Sequence, residues 1–155
     1  MWISVFYLTY LFFLLYNHKM KEGILMDLSR EKEIAKSVRK NAHAPYSKYY
    51  VGCALKTSSG KIYSGCNIEN YGIQSICAER VAFTKALSEG EKNFEYIVIC
   101  GGSDLNKLDN CLPCGYCRQF ISEFVDKNFK IYVVFENDKI KEYSIEDLLP
   151  HGFKL

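Results

Sequence analysis

The length and composition of the chain describe one ordinary globular unit. It has 155 residues, of which 48% are hydrophobic and 25% charged. These values predict a single domain with a substantial core and exclude a disordered charged tail. With 20 basic and 18 acidic side chains, the formal net charge is only +2. The chain therefore lacks the basic excess that binding to nucleic-acid phosphates normally needs.

Cysteine is the exception in this composition. The chain contains seven cysteines, an odd number that cannot all pair with one another. Because some lie only two residues apart in a chain rich in helix and strand signals, metal binding or thiol chemistry is favoured over a secreted disulfide framework. The expected location is the cytoplasm.

The N-terminus does not match the rest of the chain. Residues 2–16 are almost entirely apolar or aromatic, but a spanning helix needs about 20 apolar residues. A signal peptide needs a positive start and a small-residue cleavage site, which are missing here. We expect residues 1–25 to be a dispensable leader or an early start assignment, with Met20 or Met26 as internal starts. Residues 26–155 then form the domain, and a membrane anchor is the minority alternative.

The first half of this domain predicts a helix followed by a hairpin. Ser29 is expected to cap a helix whose apolar positions recur at helical spacing as far as Ala42, ending before Pro45. Val51, Cys53 and Leu55 occupy alternate positions, and the chain turns at Ser58-Ser59-Gly60 and returns through residues 62–66. This pattern is typical of a β-hairpin.

The second half predicts alternating helices and strands. A helix over 78–86 stops at Gly90 and is followed by a buried strand over 94–100. Next come a helix that carries residues 120–125 and a buried strand over 131–135. A turn at 137–138 then leads into a short strand and a terminal helix with a capping signature at 144–147. The order αββαβαββα indicates an α/β fold with a five-stranded mixed sheet and helices on both faces.

Two of the predicted helices begin at cysteines, one at Cys77 and the other at the segment 113–117. Thiolates at helix N-termini face unpaired N–H groups and the positive end of the helix dipole, which lowers their pKa and favours metal binding. Cys114 and Cys117 offer two zinc ligands from one turn, and Cys77 would complete three. Three protein ligands leave one zinc position open for water, as in catalytic sites.

The residues around these cysteines complete a catalytic pattern. Glu79 lies two residues after Cys77, where its carboxylate can reach a metal-bound water without coordinating the metal. Arg80 is placed to donate hydrogen bonds to the cysteine sulfurs. A Cys-x-Glu followed by Pro-Cys-x-x-Cys is typical of zinc-dependent nucleobase deaminases. Cys111 forms a second Cys-x-x-Cys with Cys114 and could supply a fourth, structural ligand, but its position ahead of the helix disfavours this alternative.

The chain from Leu28 onward resembles the small homotetrameric cytidine deaminases. The resemblance is carried by residues 44–52 (APYSKYYVG), 65–70 (GCNIEN), 77–80 (CAER), 113–119 (PCGYCRQ) and 148–153 (LLPHGF). It implies a three-layer α-β-α fold, Zn²⁺ as cofactor and a homotetramer. The implied reaction is hydrolytic deamination of cytidine and 2′-deoxycytidine to uridine and 2′-deoxyuridine with release of ammonia, in pyrimidine salvage.

The resemblance also implies a role for individual residues. It assigns zinc binding to Cys77, Cys114 and Cys117, and proton transfer to Glu79. It assigns binding of the ribose hydroxyls to Asn67 and Glu69, and contact with the pyrimidine to Tyr49, where the family usually has Phe. Phe153 is expected to reach the site of a neighbouring subunit. The loop over 71–76 is one residue shorter than the family commonly shows, so substrate contacts within it stay unassigned. Without the zinc motif, Asn67 and Glu69 would be interpreted as turn and surface residues.

Three rival functions compete with this interpretation. A related deaminase of another cytosine nucleoside, such as blasticidin S, is disfavoured by the Asn-Ile-Glu-Asn at residues 67–70. A non-catalytic zinc module would need Cys111 as fourth ligand. A nucleic-acid-editing deaminase usually has a histidine as first ligand and a basic strand channel, and neither is visible in the sequence. The expected partner is a small nucleoside, with no nucleic acid and no membrane.

Overall fold

The computed structural model describes residues 26–72 and 74–153, so the predicted leader over 1–25 lies outside the described residues. The elements in order are α1 (Ser29–Arg39), β1 (Tyr50–Thr57), β2 (Ile62–Cys66), α2 (Ala78–Ser88), β3 (Phe94–Gly102), α3 (Gly115–Ser122), β4 (Lys130–Phe135), β5 (Lys139–Ser144) and α4 (Ile145–Leu148), with a 3₁₀ turn at Glu136–Asp138. The predicted order of helices and strands is therefore confirmed. Within the described ranges, no helix has both the length and the apolar character needed to cross a membrane.

The strands form one sheet in the order β2-β1-β3-β4-β5. Strands β3 and β4 are parallel, whereas the other neighbouring pairs are antiparallel. The parallel pair needs a crossover connection, and helix α3 lies within it. The predicted five-stranded mixed sheet is confirmed.

The two faces of the sheet carry separate apolar clusters. Along β3, Ile97 and Ile99 join a cluster with residues of α2, α3 and α4, whereas Val98 and Cys100 join a second cluster with residues of α1. This alternation follows from the period of two in a strand. It places α1 on one face and the other three helices on the opposite face, so the predicted three-layer α-β-α arrangement is confirmed.

Glycines allow two helices to lie directly on the sheet. A Cβ atom at Gly52 on β1 would lie 2.2 Å from the carbonyl oxygen of Ala35 on α1, and one at Gly65 on β2 would lie 2.2 Å from that of Ala78 on α2. Because neither distance leaves room for a methyl group, both positions require glycine. The contact at Gly65 fixes where α2 begins, and α2 begins at a predicted zinc ligand.

The limits of α1 differ from the predicted ones. Ser29 does not cap the helix; it is the first helical residue, and its N–H donates to Oδ1 of Asp27 at 3.0 Å. The helix ends at Arg39 and does not reach Ala42. The chain leaves the helix there because His43 pairs with Ile68 in a parallel bridge, a contact between segments distant in sequence.

The C-terminal helices illustrate one error and one success of the sequence patterns. Helix α3 ends at Ser122, so Phe124 lies beyond it, although its ring still packs 5.0 Å from that of Phe120. The capping signature is confirmed at α4, where the Ser144 side chain accepts from the N–H of Asp147 at 3.0 Å. The Asp147 carboxylate in turn accepts from the N–H of Ser144 at 2.7 Å.

Candidate metal centre and active site

Two helix starts present the cysteines of the candidate metal centre. Cys77 is the N-cap residue of α2 and Cys114 that of α3, and both have extended backbone angles. Neither cysteine side chain accepts a capping hydrogen bond from its helix, so both sulfurs are available to another partner. Cys117 follows on the first turn of α3. The sequence prediction that both helices begin at cysteines is confirmed.

The three sulfurs converge on one point. The Sγ atoms of Cys77, Cys114 and Cys117 all lie within 4.8 Å of one another, and those of Cys77 and Cys114 are 3.8 Å apart. Two sulfurs bound tetrahedrally to one zinc at about 2.3 Å would be separated by about 3.75 Å. The donor set and its spacing therefore fit Zn²⁺ and leave its fourth position open.

One sulfur of the cluster has a lowered pKa, which suits it to bind a cation. A hydrogen bond from the Cys117 thiol lowers the pKa of Cys77 to about 5, and a contact with Arg80 adds to this effect. The same hydrogen bond raises the pKa of Cys117. Cys77 is therefore the thiolate of the pair, and a metal ion would replace the proton that the two sulfurs share.

Arg80 lies against this thiolate. Its Nη2 donates to the carbonyl oxygen of Ser75 at 3.1 Å and to the Sγ of Cys77 at 3.6 Å. Its guanidinium carbon also lies 4.1 Å from the ring centroid of Tyr116, on the first turn of α3. The Nε atom of Arg80 is buried and has no hydrogen-bond partner among the described residues.

Glu79 is buried beside the cluster, in the first turn of α2. Only 3% of its surface is exposed, and burial raises the pKa of its carboxyl to about 7, with the charge of Cys77 acting in the same direction. A carboxyl group that titrates near neutral pH can both take and give a proton during a reaction. The structure thus places next to the three sulfurs the group that the sequence predicts for proton transfer.

Cys111 lies outside the three-sulfur cluster. It is buried, and a Cβ atom at Gly101 would lie 2.5 Å from its Sγ, so its side chain packs directly on β3. Burial raises the pKa of Cys111 to about 12, which keeps it a thiol. The described residues therefore do not form the four-thiolate structural site considered as an alternative.

Asn67 binds the backbone that leads into β1. Its Oδ1 accepts from the N–H of Val51 at 2.8 Å, and its Nδ2 donates to the carbonyl oxygen of Tyr49 at 2.8 Å. Two of the residues assigned to the substrate by resemblance are thus in direct contact. The second Nδ2 hydrogen of Asn67 has no partner among the described residues and is free for a ligand.

The carboxylate of Glu69 accepts hydrogen bonds from the N-terminal end of the same backbone segment, residues 46–51. One carboxylate oxygen, Oε2, accepts from the N–H groups of Tyr46 at 2.9 Å and Ser47 at 3.2 Å. Hydrogen bonds from Ser47 and Tyr46 hold the pKa of Glu69 below its usual range, so it carries a negative charge at neutral pH. Its other oxygen has no hydrogen bond within the described chain. A cavity of about 420 Å³ borders Glu69 and is lined by Tyr46, Ser47, Glu69, Asn70, Tyr71, Gly72 and Ser75.

The two aromatic residues assigned by resemblance have different surroundings. Tyr49 is half-buried against the larger apolar cluster, and burial together with Cys111 raises the pKa of its hydroxyl. Phe153 has 65% of its surface exposed at the end of the described chain. Its backbone is bound by the Gln119 side chain, which donates to its carbonyl oxygen at 2.8 Å and accepts from its N–H at 3.1 Å.

Arg118 and Gln119 are residues whose roles sequence reasoning missed. Arg118 donates from Nε to the carbonyl oxygen of Pro113 at 2.8 Å and from Nη1 to that of Leu148 at 3.0 Å. Together the two side chains hold the C-terminal segment on the helix that carries two of the clustered cysteines. The sequence contains one signal for these roles, because both residues directly follow Cys117 in the segment 113–119 that carries the family resemblance.

A larger cavity of about 1080 Å³ lies beside α1, residues 105–108 and residues 136–138. Its lining includes none of the clustered cysteines. Its buried cation, Arg39, is 2% exposed and donates to the backbone carbonyl oxygens of Tyr50, Gly102, Asp104 and Leu105. Because these acceptors already engage Arg39, this cation is not available to a ligand in the cavity.

The fold and the cluster together define a class of protein. An α-β-α sandwich that carries Cys-x-Glu at one helix start and Cys-x-x-Cys at the next is typical of zinc-dependent hydrolytic deaminases. The family described as the cytidine and deoxycytidylate deaminase zinc-binding region matches residues 27–133. The chain belongs to this family, and zinc is its cofactor.

Known proteins support the assignment over most of the chain. A probable cytidine deaminase of Dictyostelium discoideum is 45% identical over 129 residues, which are 82% of this chain and 84% of that protein. A cytidine deaminase of Sporosarcina psychrophila is 38% identical over 129 residues, 83% of this chain and 92% of its own. The crystal structure of cytidine deaminase from Burkholderia pseudomallei has 34% identity and a TM-score of 0.73, covering 83% of this chain and 100% of that chain.

Proposed function

We propose that this chain catalyses the zinc-dependent hydrolytic deamination of cytidine and 2′-deoxycytidine to uridine and 2′-deoxyuridine, with release of ammonia, in pyrimidine salvage. The observation that carries the proposal is the cluster of Cys77, Cys114 and Cys117, whose sulfurs lie within 4.8 Å of one another. Glu79, buried and 3% exposed, lies at the start of the same helix as Cys77. The cytidine deaminases among the relatives support the choice of substrate.

Glu79 performs the proton transfers of this reaction. Zinc held by the three cysteines would acidify a water at its open position and so supply the nucleophile. The Glu79 carboxylate takes a proton from the attacking water and gives it to ring N3, which makes C4 electrophilic, and the oxygen of that water bonds to C4. As the C–N bond at C4 breaks, Glu79 relays the remaining proton of this oxygen to the leaving amine, which departs as ammonia and leaves a carbonyl group at C4. One buried carboxyl therefore acts first as base and then as acid.

Asn67 and Glu69 hold the sugar in this proposal. The second oxygen of Glu69 and the second Nδ2 hydrogen of Asn67 are the groups left free by the backbone hydrogen bonds. A carboxylate accepts hydrogen bonds from ribose hydroxyls, and an amide hydrogen can donate to one. Tyr49 packs against the pyrimidine. Its carbonyl oxygen accepts a hydrogen bond from Asn67, so the segment that contacts the base and the segment that contacts the sugar are held together.

The same carboxylate selects nucleosides over nucleotides. Glu69 is ionised at neutral pH, and a fixed negative charge repels the phosphate dianion of cytidine 5′-monophosphate. Phosphate sites usually offer clustered Lys and Arg side chains or a helix N-terminus. Here the N-termini of α2 and α3 carry the zinc ligands Cys77 and Cys114. We therefore expect the monophosphate to be refused.

The active enzyme in this proposal is a homotetramer in the cytoplasm. Phe153, with its ring exposed and its backbone held by Gln119, would help to close a neighbouring subunit's site. All seven cysteines are free, as is usual in a reducing compartment, which supports the cytoplasmic location. Light scattering on the active protein tests the assembly, and a fully active monomer would contradict it.

The deciding experiment follows the ultraviolet change as the purified protein converts cytidine to uridine. Cytidine, 2′-deoxycytidine, cytidine 5′-monophosphate and blasticidin S are compared at equal concentration, with Glu79→Gln as the matched inactive control. Turnover of the two nucleosides alone supports the proposal. Turnover of blasticidin S in place of cytidine would favour the rival deaminase, and comparable turnover of the monophosphate would contradict the role of Glu69.

A further inference from the structure

Tyr116 lies between two zinc ligands in sequence, yet the proposed reaction gives it no role. It is on the first turn of α3, between Cys114 and Cys117, and 63% of its surface is exposed. A large aromatic side chain left mostly in water gains little from burial. Its closest defined contact is with Arg80 of the other cysteine-bearing helix, whose guanidinium carbon lies 4.1 Å from the ring centroid.

The hydrogen bonds of Arg80 within the described chain use only one of its three guanidinium nitrogens. Both of them leave from Nη2, one to the carbonyl oxygen of Ser75 and one to the Sγ of Cys77. The buried Nε has no partner among the same residues. The ring of Tyr116, whose centroid lies 4.1 Å from the guanidinium carbon, adds an attractive contact to this cation. That contact favours the position of the guanidinium in which Nη2 reaches the sulfur.

We propose that Tyr116 is a positioning residue that holds the guanidinium of Arg80 against the sulfur of Cys77 and thereby slows the loss of zinc. The arrangement ties the N-terminus of α3 to that of α2 across the metal centre. It also lets the cation offset the excess negative charge of three thiolates on one Zn²⁺. The inference rests on the zinc site of the proposed function but not on turnover.

Zinc release measures this role directly. The zinc-loaded full chain is mixed with an excess of a colour-forming zinc chelator, and the rate of appearance of the zinc complex is recorded. A cation–π contact at an exposed site is worth about 0.5–1 kcal/mol, which corresponds to a roughly two- to fivefold change in rate. We expect Tyr116→Leu to release zinc about two to five times faster than the unaltered chain. Tyr116→Phe, which keeps the ring face, should release it at the unaltered rate.

Two further variants separate positioning from general loosening of the fold. In an Arg80→Gln background, Tyr116→Leu should cause no additional acceleration, because the partner of the ring is gone. Tyr143→Leu removes another cation–π pair, in which Lys141 Nζ lies 5.0 Å from the ring centroid, and should leave zinc release unchanged.

Equal acceleration by Tyr116→Leu with and without Arg80 would overturn the inference, as would a Phe variant as fast as the Leu variant or no effect of Tyr116→Leu. In each of these cases zinc binding by the unaltered chain still stands. An unaltered chain that retains no zinc would instead contradict the proposed function itself.

Discussion

The metal side and the sugar side of the candidate site are formed in different ways. On the metal side, Cys77 and Cys114 are the N-cap residues of two helices that pack on the sheet, and Glu79 is buried in the first turn of one of them. On the sugar side, Asn67 and Glu69 lie in irregular chain and use part of their hydrogen-bonding capacity on the backbone of residues 46–51.

This difference separates the chemistry from recognition. The helix starts set the positions of the sulfurs and the carboxyl before any substrate arrives, which is the preorganisation that a reaction centre needs. The sugar side is held by loop contacts and borders an open cavity. Changes on the metal side should therefore abolish the reaction, whereas changes on the sugar side should shift which substrates are accepted.

The largest effect is expected from removal of a ligand on the metal side. Cys114→Ala leaves two sulfurs for zinc, so the protein should lose its metal and with it all measurable deamination. Cys111→Ala is the matched control, because Cys111 lies outside the cluster, and it should keep about one zinc per chain. Elemental analysis of the purified proteins measures both. Zinc lost from the Cys111 variant but kept by the Cys114 variant would make the site structural.

Glu79→Gln tests the chemistry without touching the ligands. The amide keeps the shape of the side chain but cannot carry protons, so activity should fall by about 10²- to 10⁴-fold. Zinc content and the thermal unfolding midpoint should stay near those of the unaltered protein. Steady-state rates with cytidine, compared at equal zinc content, give the answer. Undiminished turnover would contradict the proton-transfer role.

A smaller and more selective effect is expected at Glu69. A hydrogen bond to a charged group is worth about 1.5–3 kcal/mol, so Glu69→Ala should lower kcat/KM for cytidine by about 10- to 100-fold. Glu69→Gln keeps an oxygen that can accept hydrogen bonds from the N–H groups of Tyr46 and Ser47. It therefore distinguishes an effect of lost backbone support from an effect of lost sugar binding.

The exposed carboxylate of Glu95 on β3 provides the matched control for this measurement. Glu95→Ala should leave kcat/KM unchanged, since it removes a negative charge at the end of β3 opposite to Gly102, which pairs with Tyr50 near the sugar side. If the Glu69 and Glu95 variants behave alike with cytidine, the assignment of the sugar-binding residues is wrong.

The smallest effect is expected from removing residues 1–25. A chain that starts at Met26 keeps every residue of both sides of the site, so its turnover of cytidine should equal that of the full chain. A chain that starts at Val38 loses most of α1, including buried Ala35, and should fail to fold. Activity lost already at Met26 would show that the leader belongs to the domain.

Local patterns predicted the elements and the metal cluster well. The cysteine spacing correctly indicated that the sulfurs of Cys77, Cys114 and Cys117 would lie close together, because each helix start is a short local feature that carries its side chains with it. The short apolar run over residues 94–100 likewise indicated a strand covered on both faces, as Ile97 and Val98 show. The capping signature at Ser144 is another local feature, and it formed as predicted.

Features that depend on distant contacts were not predictable in this way. Helix α1 stops before Ala42 because His43 pairs with Ile68, far along the chain. The backbone contacts of Asn67 depend on how the loop before β1 approaches it. The Arg118 contact to Leu148 joins residues 30 apart. No spacing rule contains such information, since these contacts exist only after the layers have packed.

The close approach at Gly65 gives the edge of the sheet a mechanical role. A Cβ atom there would meet the carbonyl oxygen of Ala78 at 2.2 Å, so strand and helix touch backbone to backbone with no compressible side chain between them. Cys77 precedes Ala78, and Asn67 follows β2 by one residue. The start of α2, which carries Cys77, and the segment that begins at Asn67 are therefore coupled through one incompressible contact, and we expect a displacement of β2 to change the distance between the metal centre and the proposed sugar site far less than the position of either.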